Sequence, residues 1–157
     1  MPLKKSSQKD EIRSKILREM SVSPKSRALI LIDIADADIV GFLFEVGKSL
    51  DIAMVVATWS AWEKWVYAGY DAVISDGVSS HLDMVALVQS GVVPILPVES
   101  AFSTLFTEFD PMRFVGNAFL FTTVDKYLIF EKLVRYLENI RYAGDKRTLM
   151  TNLEKTF

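Results

Sequence analysis

Cysteine is absent from this 157-residue chain, so neither a disulfide nor a thiolate-ligated zinc site can form. That absence fits a reducing compartment. Histidine occurs once, as His81, and a single imidazole rules out a multi-histidine metal site. No apolar run approaches the ~20 residues that cross a bilayer. The opening MPLKKSSQKDEIRSK is too polar for a secretory signal. Neither sign of charge dominates: a net charge of −2 gives no general pull toward nucleic acid or an anionic membrane. The phosphate-cradling patterns GxGxxG and GxxxxGKS/T are both missing, so no cofactor is expected. These absences point to the cytoplasm, or to an organelle whose transit peptide has been removed.

What is present is an ordinary globular balance, 50% hydrophobic and 24% charged, in a chain long enough for one domain with a sizeable core. Residues 1–8 carry no apolar periodicity and are expected to be a flexible lead. From Lys9 to Met20, Ile12, Ile16 and Met20 recur at every fourth position, which predicts an amphipathic helix closed by SVSPKS. ALILID (28–33) and IAMVVAT (52–58) are continuous β-rich runs of the kind buried on both faces of a parallel sheet. AVIS (72–75), VVPILPV (92–98) and AFLF (118–121) supply three more strands. The two prolines of VVPILPV confine its hydrogen bonding to the ends or to an edge. Helices are predicted over 38–50, 60–67, 80–90 and 125–142, the last with Ile129, Leu133, Leu137 and Ile140 on one stripe and a break at Gly144. A shorter terminal helix follows. Residues 100–111 are either a short helix or an ordered loop.

Strand and helix therefore alternate, which predicts an α/β domain over residues 9–157: a three-layer, Rossmann-like or flavodoxin-like open parallel sheet of about five strands, with helices on both faces. In such sheets ligands bind at the carboxyl ends of the strands. The chemistry to weigh is therefore in the residues that follow each strand.

Asp33 and Asp36 follow the first strand and Asp76 the third; three such carboxylates offer the oxygen ligands that Mg²⁺ takes. The competing reading is that Asp36 or Asp38 caps the next helix. Ser79, Ser80 and His81 place a hydroxyl beside an imidazole, but no GxSxG elbow accompanies them, and a serine capping the next helix explains them more simply. Glu99 and Ser100 follow the fourth strand and complete the candidate ligand edge. Trp59, Trp62 and Trp65 recur every third residue. Three indoles crowd one short helix, so they are expected to form a partly exposed patch for a partner or a sugar.

Several segments, in order, resemble the C-terminal lobe of bacterial glycogen and plant starch synthases, which are GT-B glycosyltransferases. KDEIRSKILREMSVSPKSRALILID has the layout of the family's opening charged helix and first strand. VYAGYDAVIS (66–75) resembles its "YAGAD" segment and strand, and SGVVPIL (90–96) its "YGTIPIV". TLFTEFDP (104–111), GNAFLF (116–121) and RTLMTNLEKTF (147–157) match "DTVEDFDP", "GTGFLF" and "LMxNAM". The resemblance runs from about Lys9 to Phe157. It implies a sugar-nucleotide-binding ancestry and a second, N-terminal lobe as partner.

The same alignment puts IADADIVG (34–41) where the family carries the basic "GRLxxQKG" that contacts the donor's phosphates. GVSSHL (77–82) replaces "SRFEPCGL" and lacks its glutamate; VESAF (98–102) replaces "TGGL" and has no glycine. Exchanging two cations for carboxylates beside a diphosphate changes the interaction by several kcal/mol at an effective dielectric of about 20. The expectation is a lobe that is non-catalytic by itself, serving as a binding or regulatory module or as half of a split enzyme. Carbohydrate or nucleotide-sugar is the ligand class the resemblance implies. Losing one strand–helix unit also leaves a chain that can adopt the order 2-1-3-4-5. That order admits a second expectation, a receiver-like signalling domain with Asp76 as phosphoacceptor. A third is a purely structural or assembly protein that uses the tryptophan helix and the terminal helix as contact surfaces.

Overall fold

The apolar runs become five strands, each buried because helices lie against both sides of the sheet. A computed structural model describes residues 2–19, 26–57, 64–78, 82–100 and 104–157. The elements run α1 (Pro2–Glu19), β1 (Leu29–Asp33), α2 (Ala37–Leu50), β2 (Ala53–Val56) and a 3₁₀ helix (Lys64–Gly69). They continue with β3 (Ala72–Ser75), α3 (Met84–Gln89), β4 (Val93–Pro97), β5 (Phe119–Phe121), α4 (Lys126–Ile140) and α5 (Ala143–Glu154). Every neighbouring pair is parallel, in the order β2-β1-β3-β4-β5. This is the three-layer α/β, Rossmann-like architecture that the alternation predicts. Among the described residues no helix is long and apolar enough to cross a membrane.

The core is built by Leu29, Ile30, Leu31 and Ile32 of β1 with Val73 and Ile74 of β3, all without solvent exposure. Burying one such side chain stabilises the fold by about 1.5–3 kcal/mol. α2 packs on β2 and α4, and α4 on β4 and β5; α1 and α3 pack on the 3₁₀ helix. The α4 stripe buries Ile129, Leu133 and Leu137, with Tyr136 beside them.

β4 lies inside the sheet, not at an edge, and its prolines are accommodated by register. In a parallel strand, alternate residues direct their amides to opposite neighbours. Val93 donates to the Asp71 carbonyl on the β3 side, whereas Val98 donates to the Phe121 carbonyl on the β5 side. Pro94 therefore faces β5, opposite the residue before that strand begins. Pro97 faces β3, one residue beyond that strand's end. Both missing donors therefore fall at the ends of the ladders and not in their middle.

Other boundaries differ from the sequence expectation. α1 takes in residues from Pro2 onward, because a proline in a first turn lacks only an amide that has no partner there. α3 starts at Met84 and not near residue 80: Asp83 is its cap, its carboxylate accepting from the Ala86 amide at 3.0 Å. The serine caps expected at Ser79 or Ser80 are thereby replaced, and those two residues with His81 lie outside the described residues. α4 ends at Ile140, and the chain turns at Arg141 and Tyr142, so Gly144 sits inside the first turn of α5 and does not form the break. Residues 104–117 are an ordered loop that buries Phe106 and Phe109.

α1 approaches the body closely at Gly69. A Cβ there would stand 2.6 Å from Ile16 Cδ1 and 2.9 Å from Ile12 Cγ2, so any side chain would make these isoleucines or the helix shift. The contact is locked by Asp71, whose Oδ2 accepts from the Leu29 amide at 2.8 Å and from Arg13 Nη1 at 2.6 Å. Arg13 Nη2 also donates to the Ser26 carbonyl at 2.8 Å.

Candidate functional site at the carboxyl edge

All five parallel strands end on one edge. Strand order reverses between β1 and β3, because the chain runs outward from β1 to β2 and returns on β1's other side. That reversal leaves the crevice in which open α/β sheets bind ligands. Asp33, the last residue of β1, is in register with Ser75, the last residue of β3.

The two strand ends are tied together by hydrogen bonds. Ser75 Oγ donates to Asp33 Oδ2 at 3.2 Å and accepts from the Gly77 amide at 3.1 Å. The Asp76 amide donates to the Asp33 carbonyl at 3.1 Å. Asp76 Oδ2 accepts from the Ala35 amide and Oδ1 from the Val78 amide, each at 3.0 Å. Asp33 and Asp76 are only 5% and 8% exposed, so these contacts replace water that both carboxylates would otherwise hold. The structure thus brings Asp33 and Asp76 together as the strand-end rule predicts.

It does not bring Asp36 to them as a third ligand. Asp36 caps α2, its Oδ1 accepting from the Asp38 amide at 2.9 Å and the Ile39 amide at 3.3 Å. Among the described residues no group of three or more His, Asp or Glu is arranged to hold a metal ion. Of the two readings weighed for these acids, helix capping is the one the structure shows for Asp36.

Beyond β4, Glu99 is exposed, while Ser100 is buried against the Gly77 turn, its Oγ without a hydrogen-bond partner among the described residues. Trp59 and Trp62 lie outside the described residues. Trp65 falls on the 3₁₀ helix, with its side chain likewise outside the described set.

Sequence reasoning missed Asp71 and Glu108. The signals for Asp71 were an acid directly before a buried strand and an arginine on the inner side of an amphipathic helix. Glu108 Oε2 accepts from the Leu120 amide at 2.6 Å, and its Oε1 meets Lys132 Nζ at 2.9 Å and Arg135 Nη1 at 3.4 Å. Nothing local in TEFDP marks that role.

Burial raises the Tyr70 phenol well above its ordinary range. Burial also raises Tyr136; the negative charge of Asp71 adds to the rise and Arg13 opposes it. A groove of about 720 Å³ opens between α1, α3 and α5, lined by Lys9, Arg13, Asp71, Lys146 and Glu154 among others. Its Lys9 and Arg13 are both engaged by Asp71.

Chemically, the crevice presents carboxylate and hydroxyl oxygens around the reversal point. Those of Asp33, Ser75 and Asp76 are already engaged by the surrounding backbone and side chains. No protein-family model matches this chain, and no curated protein matches it.

Proposed function

We propose that the chain is a degenerate lobe of the glycogen/starch-synthase type, a binding or regulatory module that does not transfer sugar on its own. The observation that carries this reading is that Asp33 and Asp76 stand together at the ends of the two strands flanking the reversal, joined by the Asp76 amide and the Asp33 carbonyl. A sugar nucleotide needs cations for its diphosphate at that point, and carboxylates oppose it there. The segments that resemble the family hold up the fold: Phe109, Phe119 and Phe121 are core residues, and Asn117 is buried beside them. The residues that would contact the donor are the ones exchanged. A partner chain supplying the other lobe, and a carbohydrate held through its hydroxyls, belong to the same reading.

Calorimetry with ADP-glucose and UDP-glucose tests it. No heat at micromolar concentrations is expected, and no glucan extension with either donor. Micromolar binding, or turnover on a glucan primer, overturns it.

A second reading, a receiver-like domain phosphorylated on Asp76, is favoured by the strand order and by the position of Asp76 one residue past β3. Against it, each oxygen of that carboxylate already accepts a backbone amide. Incubation with acetyl phosphate and Mg²⁺, followed by intact mass, should add one phosphate that Asp76→Asn abolishes. An unchanged mass removes this reading.

A further inference from the structure

The carboxyl edge carries a row of exposed branched side chains. Val78 follows β3, Val98 follows β4 and Val124 follows β5, with exposures of 84%, 42% and 40%. Single exposed valines are ordinary. These three stand on the ends of three adjacent strands, and the loops abut: a Cβ on Gly77 would lie 3.2 Å from Pro97 Cγ, and the Val98 amide is bonded to the Phe121 carbonyl. Tyr127, 63% exposed, extends the row over the start of α4. Exposed apolar side chains thus stand at the ends of three adjacent strands and at the start of the helix after the last of them, the kind of feature that marks an interaction surface.

Among the described residues the rim of this strip is mainly acidic. Asp36, Asp38, Asp83, Glu99 and Asp125 surround it, at the starts of α2, α3 and α4 and after β4. Lys126 is the cation described on this rim, and its ammonium lies 5.4 Å above the Phe42 ring and 5.2 Å above the Tyr127 ring. The N-termini of α2 and α4 each contribute roughly half a positive charge, too little to offset the carboxylates.

We propose that this edge is a docking surface for a basic segment of a partner protein, whose apolar side chains cover the valine row while its lysines or arginines meet the acidic rim. Charge complementarity selects this occupant. Nucleic acid and anionic lipid meet repulsion, and a second copy facing edge to edge brings the same acidic rim. The inference goes beyond the ancestry proposed above and does not depend on it, because the strip and its rim are properties of the folded chain.

The test uses the full chain and a fluorescein-labelled amphipathic peptide of leucine and lysine, titrated by fluorescence anisotropy. Circular dichroism checks that every variant folds. Val78→Ser/Val98→Ser and Asp38→Asn/Glu99→Gln should each weaken binding by about tenfold or more, with the charge variant flattening the salt dependence. Glu131→Gln/Glu138→Gln, on the exposed face of α4, should leave the affinity unchanged, and a leucine–glutamate peptide should not bind. Absence of peptide binding overturns the proposal, and so does an equal loss in the α4 control, which would mean diffuse attraction. Self-association in sedimentation that Val78→Ser/Val98→Ser relieves also overturns it, in favour of a second copy.

Discussion

The carboxylate of Asp71 and the guanidinium of Arg13 meet at 2.6 Å, joining the first helix to the head of the sheet. The same carboxylate holds the Leu29 amide, so one side chain fixes both α1 and the start of β1. Asp71→Asn leaves the guanidinium enclosed without its counter-charge. Since both side chains keep some solvent contact, 20% for Arg13 and 17% for Asp71, the expected loss is about 2–3 kcal/mol, below the cost of a fully buried pair. Urea unfolding should show a lower midpoint at an unchanged slope. A loss under about 0.5 kcal/mol would show that the link carries little weight.

Glu108 closes the free side of β5. Residues 119 and 121 direct their backbone groups to β4, so the Leu120 amide points outward, and the Glu108 carboxylate accepts it. Glu108→Ala should cost about 1–2 kcal/mol, discounted for partial exposure, and Glu108→Gln less, because an amide oxygen can still accept from Leu120. Thermal melts distinguish the two. Equal effects would assign the role to the Lys132 and Arg135 pairs alone.

Two glycines should respond to alanine with opposite signs. Gly116 has φ +89°, and a Cβ there would overlap the Glu108 carbonyl, so Gly116→Ala should destabilise by about 3 kcal/mol or more. Gly144 sits in the first turn of α5 with open space around it, and Gly144→Ala should stabilise by about 0.5–1 kcal/mol. Denaturant midpoints of the pair check the argument against a common baseline.

Alkaline pH should destabilise the fold through Tyr70 and Tyr136. Burial keeps both phenols protonated in the native chain above their ordinary value of 10, whereas the unfolded chain ionises them there. The unfolded state then binds fewer protons, so the stability present below about pH 10 is lost as pH rises beyond it. Melting temperatures followed from about pH 8 to 11 should fall more gently in Tyr136→Phe than in the parent chain. Identical slopes would remove the linkage.

The strands were legible because burial on both faces leaves a continuous apolar run, as in LILID and AVIS. The Asp33–Asp76 pairing followed from the same reading, since parallel strands must end on one edge. Asp36 was read correctly as a possible cap, because its side chain needs only the local amides of Asp38 and Ile39. Long-range roles were hidden. Asp71 works through partners 42 and 58 residues away in sequence, and no local pattern records them. The start of α3 was misplaced for a related reason: Ser79, Ser80 and Asp83 are all competent caps, and only the packing of Met84, Leu87 and Val88 selects among them. Gly144 misled because glycine weakens a helix without forbidding it.

Pro94 and Pro97 restrict the backbone of β4 before the chain folds, since each ring holds its own φ near the value it keeps. A segment that explores fewer conformations in the denatured ensemble surrenders less entropy on joining the sheet. The strand that bridges β3 and β5 is thus recruited from a stretch already inclined to be extended, and the register sets its missing donors at the ladder ends, where they take least from that advantage.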